Sequence, residues 1–417
     1  MLKRLALQNF KSIASASVDF SNFTFLVGRN GSGKSNVADA LAFAAEAAEW
    51  PLQTVFNRRG GPLSVARRRP IPSNRGPAGI VEFGIGLEFG DFDLSSGRYW
   101  PSTPTSARYA FLLSIGRFGF EVLREQCIVA KSDGSKSWFD RARTKFRSSV
   151  DFLNGSSFSF LSRDALAIPF VGSIVDFMPV STAMKSMAVY SIDPTKLREF
   201  QDPDEGKRLS TDGSNAASVL ESIKSDPAKF QRLFQILSTV VPDLEQVRPQ
   251  TIGRKQQLRF AQRWAPNERI YFDAFNMSDG TVRAFGILLA LFQLSRPDLL
   301  VIEEPETSLH PAATAAIVET LRAESKRSQI IITTHSPEVL DMANASEDNF
   351  KIAVWNRGQT RIGDVVGAAK AALQGHLASP GELMKMLILD APPLFEEFEE
   401  DKQQVLFEDL GAHTADS

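Results

Sequence analysis

Gly28-Arg29-Asn30-Gly31-Ser32-Gly33-Lys34-Ser35 restricts the fold of this chain more than any other segment. It fits GxxxxGK[ST], a pattern with chemical meaning only where a strand enters it and a helix leaves it. The apolar run Phe23 to Val27 predicts that strand, and the alanine-rich run Asn36 to Ala48 predicts that helix. In this setting glycines let backbone N–H groups turn toward a polyphosphate, and the helix N-terminus adds partial positive charge. Asn30, Gly31, Ser32 and Gly33 would cradle the phosphates, Lys34 would reach the β- and γ-phosphates, and Ser35 would offer its hydroxyl to Mg²⁺. A chance match in an ordinary loop is the plainer alternative, and the flanking strand and helix count against it. The residues imply a nucleoside triphosphate site with Mg²⁺ beside the phosphates.

A second segment supplies the chemistry that such a site needs. Leu299-Leu300-Val301-Ile302 reads as a buried parallel strand. It delivers Glu303 and Glu304 at its C-terminal end, where ligands bind in open α/β sheets. Glu303 suits the Mg²⁺ shell, and its neighbour Glu304 can orient and deprotonate an attacking water. An acidic turn after a core strand would look the same in isolation. Another apolar strand, Ser328 to Thr334, ends in His335, whose imidazole could sense the γ-phosphate. Lys34 and Glu303 stand about 270 residues apart, yet one site needs both, so the domain is expected to be discontinuous.

Three further stretches carry a resemblance. Met277-Ser278-Asp279-Gly280-Thr281, Glu303-Glu304-Pro305-Glu306-Thr307-Ser308-Leu309-His310-Pro311 and Thr333-Thr334-His335-Ser336-Pro337 resemble the ABC-type ATPases of the SMC/RecF/OLD kind. Among these the chain is most similar to the compact AAA family ATPases of bacterial defence loci. The resemblance implies an α/β ABC-type head with an antiparallel β subdomain and a helical insertion. It implies that Ser278-Asp279-Gly280 is the signature motif, with Ser278 and Gly280 reaching the other subunit's γ-phosphate in a homodimer or higher homo-oligomer. It also implies that Glu306 to His310 form the D-loop. Glu303 stands where most ABC proteins have Asp. The Q-loop is expected at the end of the strand Met187 to Ser191, and the nearest glutamine, Gln201, lies too far along to fill it.

Composition narrows the setting. A hydrophobic content of 43% and a charged content of 23% over 417 residues are ordinary for a globular protein. A net charge of −2 argues against a generally basic nucleic-acid surface, though not against a local patch. Cys127 is the sole cysteine, which excludes an intrachain disulfide and fits a reducing cytoplasm. The N-terminus reads as a strand and not as a signal peptide. The longest apolar stretch, Ala284 to Leu294, is too short to span a membrane.

Along the chain, strands near Leu2–Gln8, Ser17–Phe20 and Phe23–Val27 lead into the phosphate-loop helix. Pro51 to Gly79 reads as an exposed loop, and the segments around Ile80–Phe89, Tyr109–Ser114, Gly119–Val129 and Ser137–Phe146 read as strands. Asn215 to Ile223 and Pro227 to Val240 have helical spacing, Leu258–Gln262 and Arg269–Phe275 read as a hairpin, and no heptad repeat predicts a long coiled coil. The expected units are residues 1–150 and 251–389 as the two parts of the head, 151–250 as a mainly helical insertion, and 390–417 as an acidic tail.

Two charged features lie outside the nucleotide motifs. Arg58, Arg59, Arg67, Arg68, Arg69 and Arg75 could contact a nucleic-acid backbone, or form a solvated cluster or partner interface. The tail alternates acids with Leu394, Phe395, Phe398, Val405, Leu406 and Phe407, which suits either docking to a basic partner or packing on its own domain. No Gly-x-Ser-x-Gly elbow and no nuclease-like acidic cluster is present. The expected function is therefore an ATP-hydrolysing switch, with Glu304 and His335 as catalytic residues, that controls a separately encoded effector (a nuclease or toxin) in anti-phage defence. A RecF-like repair ATPase acting on DNA and a nucleotide-stabilised scaffold with negligible turnover are the alternatives.

Overall fold

The structure, a computed structural model, describes residues 1–67, 81–92, 103–116, 119–154, 161–266, 268–342, 350–365, 367–389, 406–408 and 410. The chain opens with the hairpin β1 (Leu2–Phe10) and β2 (Ile13–Asp19), then β3 (Phe23–Val27), all five residues of which are buried. Helix α1 (Lys34–Ala47) leaves the glycine loop, and α2 (Leu52–Asn57) follows. Strands β4 (Val81–Gly90), β5 (Pro104–Gly116), β6 (Gly119–Lys131), β7 (Lys136–Ala142) and β8 (Lys145–Ser148) form an antiparallel meander. Helices α3 (Ile168–Val171) and α4 (Met178–Lys185) lead to β9 (Met187–Tyr190), and α5 (Pro194–Arg198), α6 (Ala216–Ile223) and α7 (Pro227–Val240) follow. Strands β10 (Leu244–Ile252), β11 (Lys255–Ala265) and β12 (Glu268–Asp273) make a small antiparallel sheet of their own. The rest alternates: α8 (Asp279–Phe292), β13 (Leu299–Glu303), α9 (Pro311–Glu324), β14 (Gln329–Thr334), α10 (Pro337–Met342), β15 (Phe350–Asn356), β16 (Gln359–Gly363), α11 (Gly367–Gln374) and α12 (Pro380–Leu389).

One 13-stranded sheet organises the molecule, in the order β8-β7-β6-β5-β4-β1-β2-β16-β15-β3-β14-β13-β9. From β8 to β2 it is antiparallel. From β15 to β9 the neighbours run parallel, so β3, β14, β13 and β9 all end on the same edge. The apolar runs noted in the sequence are explained by burial on both faces. Leu299, Val301, Ile331 and Leu26 join the core on the α1 side, whereas Leu300, Ile302, Ile330, Ile332, Phe25 and Val27 join the core under α8 and α9. On the α1 side, Phe43 meets Phe10, Phe56, Phe83 and Phe111 with ring centroids 5.4–6.2 Å apart, which fastens the phosphate-loop helix to the antiparallel strands. Each such ring buries roughly 1.5–3 kcal/mol of transfer free energy.

The expected α/β architecture, antiparallel region and helical insertion are present, and the longest helices among the described residues have 14 residues. Several expectations need correction. Pro51 to Gly79 is not simply an exposed loop: α2 buries Leu52, Val55 and Phe56, and Val65 and Ala66 are buried beyond it. Residues 68–79 lie outside the described residues. Ser137–Phe146 is two strands, because Arg143 turns the chain with a φ of 53°. The predicted hairpin after residue 258 has a third strand, β10, on its other side. Strands β15 and β16 were not anticipated. They lie between β3 and β2 and join the two halves of the sheet.

Candidate functional site

At the C-terminal edge of β3 the chain enters its glycine loop. Gly28 lies so close to β15 that a Cβ there would sit 2.3 Å from the Ala353 carbonyl oxygen. Gly33 has a φ of +103° and abuts Thr360, where a Cβ would come within 2.1 Å of the hydroxyl. These two positions require glycine for different reasons, one for close approach and one for backbone conformation as well. Helix α1 begins at Lys34 with no side-chain cap and no acid in its first turn, so its first N–H groups remain available to an anion. An open cleft above is lined by Asn30, Gly31, Gly33, Lys34, Ser35, Asn36 and Glu304.

Lys34 is buried, and its Nζ donates to the carbonyl oxygens of Gly28 at 2.8 Å and Arg29 at 3.1 Å. Burial lowers its pKa, while Glu304, Glu306 and Glu303 oppose that shift through their charge. The carboxylates arrive on β13, which lies one strand beyond β14 from the loop. Glu303 lies beside the hydroxyls of Ser35 and Ser191, and burial raises its pKa above the ordinary carboxylate value. Glu304 has a φ of +43°, a left-handed conformation for a non-glycine residue, held by its N–H donating to the Thr333 carbonyl at 2.9 Å. His335 Nδ1 lies 3.4 Å from Glu304 Oε1 and 3.8 Å from Glu306 Oε1. Glu306 in turn accepts a 2.5 Å hydrogen bond from the Thr334 hydroxyl.

Asn30, Gly31, Gly33, Lys34, Ser35 and Glu304 therefore share one cleft, with Glu303 beside Ser35 and His335 beside Glu304. The Ser32 side chain faces away, below the loop near Gly28. Ser278 and Gly280 are not among the residues lining the cleft. Ser278 caps α8, accepting from Thr281 N at 3.2 Å, and Gly280 is pressed against the Ser308 carbonyl. Asp279 pairs with Arg198 at 2.6 Å. The hydroxyl of Ser35, a carboxylate from Glu303 and the nearby Ser191 hydroxyl form a set of hard oxygen donors that fits Mg²⁺, a cation that commonly takes one or two protein carboxylates and completes its shell with phosphates and water.

Three contributors, Thr360, Ser12 and Arg283, were missed in the sequence. Thr360, on β16, donates to the Ser32 carbonyl at 2.8 Å and shares a 2.6 Å hydrogen bond with Ser12, which accepts from Asn36 Nδ2 at 2.5 Å. This relay sets the loop from below. The apolar pattern from Phe350 and the Arg357-Gly358 turn were available as a hairpin signal, but nothing in them indicates contact with Gly33. Arg283, on α8, donates to the carbonyls of Ile192 at 2.8 Å and of Glu303 and Glu304 at 3.1 Å each. It thereby joins the helix that starts at Ser278 to the strand ends that carry the acids. Gln201 takes no part: it is buried, and its side chain accepts from Ala217 N at 2.8 Å. Ser191 occupies the strand end where a Q-loop glutamine was expected.

The arginine cluster is partly withdrawn from any phosphate-binding role. Arg59 is clasped by Asp39 at 3.0 Å and Glu46 at 3.0 Å, with its guanidinium over Phe43, so its charge is already satisfied. Arg58 stacks on Trp50, and Arg67 reaches Gln359 at 3.4 Å. Arg68, Arg69 and Arg75 lie outside the described residues. Cys127 is buried.

No curated protein matches this chain. Among solved structures it is similar to an Smc head bound to the C-winged helix domain of ScpA, with 18% identity, a TM-score of 0.49, and coverage of 89% of this chain and 99% of that one. It is also similar to an Smc head with an extended coiled coil, bound to the C-terminal domain of ScpA and derived from Pyrococcus furiosus, at 16% identity, a TM-score of 0.49 and coverage of 90% and 98%. The SMC head domain from Thermotoga maritima follows at 15% identity, a TM-score of 0.40 and coverage of 88% and 99%. At such scores and identities these likenesses bear on neither the function nor the partners of this chain. The family described as "AAA domain, putative AbiEii toxin, Type IV TA system" matches residues 23–341, a span that runs from β3 through the glycine loop and both acids to α10. The chain belongs to this AAA-domain family.

Proposed function

We propose that the protein is an ATP-binding and ATP-hydrolysing switch that dimerises around ATP and controls a separately encoded effector, a nuclease or toxin, in anti-phage defence. One observation carries the reading: Lys34, Ser35 and Glu304 line a single cleft, with Glu303 beside Ser35 and His335 3.4 Å from Glu304, while Ser278 caps α8 and Gly280 packs on the Ser308 carbonyl, neither of them against these residues. A site completed by the signature helix of a second copy accounts for both facts. The family's description, which names a toxin and a toxin–antitoxin system, supports a role beside a partner. No helix among the described residues is long and apolar enough to cross a membrane.

In this mechanism the N–H groups of the loop and the start of α1 hold the phosphates, and Lys34 exchanges its two carbonyl partners for phosphate oxygens. Ser35 and Glu303 would hold Mg²⁺, which when bound neutralises phosphate charge. Glu304 orients and deprotonates the attacking water, and His335 beside it contacts the γ-phosphate. Arg283 couples the outcome to the signature helix, because it grips the carbonyls of both acids. Residues 1–150 and 251–389 act as the head, to whose sheet β9 adds an edge strand, and the rest of 151–250 acts as the insertion. The test is a steady-state ATPase assay combined with light scattering. Turnover that disappears in Lys34→Ala, together with an ATP-dependent dimer in Glu304→Gln, supports the reading. A chain that stays monomeric with ATP in every variant opposes it.

A further inference from the structure

The nucleotide site makes no use of a trough on the outer face of β4–β6. On β4, Phe83, Ile85 and Leu87 point into the core, which leaves Gly84, Gly86 and Glu88 facing out. The strand register extends this row of small residues across the sheet. Ala6 lies opposite Gly86, Gly86 opposite Ala110, Ala110 opposite Gln126, and Gln126 opposite Asp140. Leu112 and Arg124 flank the row on one side, and Glu88 and Arg108 on the other.

Leu406, Phe407 and Glu408, from the far end of the chain, occupy this trough. Leu406 is buried over the glycines: a Cβ on Gly84 would come within 2.5 Å of its Cδ1, and one on Gly86 within 3.3 Å of its Cδ2. Glu408 N donates to Gln126 Oε1 at 2.9 Å, while Gln126 Nε2 donates to the Glu408 carbonyl at 3.0 Å. That two-point bond reads backbone and fixes the direction of the segment. Arg108 bridges Glu88 at 3.0 Å and the Glu408 carboxylate at 2.9 Å. The Arg124 guanidinium, held by Asp140 at 2.7 Å, lies 4.5 Å from the centroid of the Phe407 ring. With the segment in place Gln126 is buried, and its side chain also donates to Asp140 at 3.3 Å.

We propose that this trough is a docking site for a Leu-Phe-Glu segment and that the chain's own C-terminal segment is its occupant, a releasable latch. Recognition is local and complete: a glycine floor for the leucine, an arginine face for the phenylalanine, a cation for the glutamate and an amide for the backbone. Such a motif binds weakly on its own, but a tether raises its effective concentration to the order of millimolar, which keeps it docked in cis. Release would bare Arg108, Arg124 and the apolar floor together.

The test uses the full chain and a fluorescein-labelled synthetic peptide of residues 402–412, followed by anisotropy. In the L406A/F407A/E408A chain the tethered segment keeps only its backbone bonds to Gln126 and competes weakly. The peptide is expected to bind that chain about tenfold more tightly than the unaltered chain, whose intact segment competes fully. Adding Gln126→Ala to that variant is expected to weaken the peptide by about tenfold, because two backbone hydrogen bonds go. Equal affinity for the variant and the unaltered chain, or no binding to a variant that unfolds at the normal temperature, overturns the proposal. Should the triple variant fail to fold, limited proteolysis with mass spectrometry decides it. Arg124→Ala is expected to speed cleavage within residues 402–412 several-fold over the unaltered chain, and an unchanged rate overturns the proposal.

Discussion

Glu304 holds a left-handed backbone conformation at the end of β13, a strain that persists only where surrounding contacts over-determine it. Its N–H is fixed by Thr333 and its carbonyl by Arg283, so the carboxylate is aimed before any substrate arrives. Replacing Glu304 with Gln should keep nucleotide affinity and lower turnover by about 10²–10⁴, the usual worth of a general base. Filter binding and single-turnover kinetics separate the two effects. Glu303 offers a test by pH. Its folded-state pKa is raised by burial, so the folded chain holds that proton more tightly than the unfolded one. The stabilising contribution is present below the ordinary value of 4.5 and is lost as pH rises through the raised value. Above that range the raised pKa works against the fold of the free protein. Glu303→Gln should unfold at a higher temperature than the parent at pH 7, with that advantage shrinking toward pH 4, and should lose Mg²⁺-dependent turnover. Thermal melts across that range check the sign.

At the scale of elements, the site depends on strands that come late in the chain. β16 supplies Thr360, whose hydroxyl ends a relay from Asn36 through Ser12 to the Ser32 carbonyl. Thr360→Val keeps the shape and removes the donor, leaving the buried Ser32 carbonyl without it. Stability should fall by about 1–3 kcal/mol, and ATP affinity should fall with it because the loop loses its floor. Denaturant unfolding and isothermal titration measure the two. Arg283→Met should leave nucleotide affinity nearly intact and reduce turnover, since three carbonyls at the strand ends lose their clamp. The glycine loop, both acids and His335 were legible in the sequence because each sits at a strand end whose apolar run declares itself. Thr360, Ser12 and Arg283 were not, because strand register and helix rotation bring them to the site and neither has a local signature. The same limit applied to Arg59: six arginines in one stretch suggested a phosphate surface, yet Asp39 and Glu46 of α1 satisfy this one.

For the whole molecule, a continuous 13-stranded sheet places the phosphate loop from the N-terminal part beside acids from the C-terminal part, so one chain supplies nearly everything the chemistry requires. What it does not bring to its own cleft is the N-terminus of α8, where Ser278 is exposed and capped by nothing but its own turn. The central claim is that a second copy supplies it. In a two-fold dimer each of two sites takes Lys34 from one chain and Ser278 from the other. Lys34→Ala and Ser278→Arg chains would each spoil both sites when alone. In a mixed dimer both lesions fall on one site, and the other keeps its full complement. The most direct measurement is the ATPase rate of the two variants apart and mixed at equal concentration, with mixed dimers verified by differential tags. The account predicts almost no activity from either alone and recovery to about a quarter of the parent rate in the mixture, since half the dimers are mixed and each retains one of two sites. No recovery at any ratio, with mixed dimers present, would contradict it.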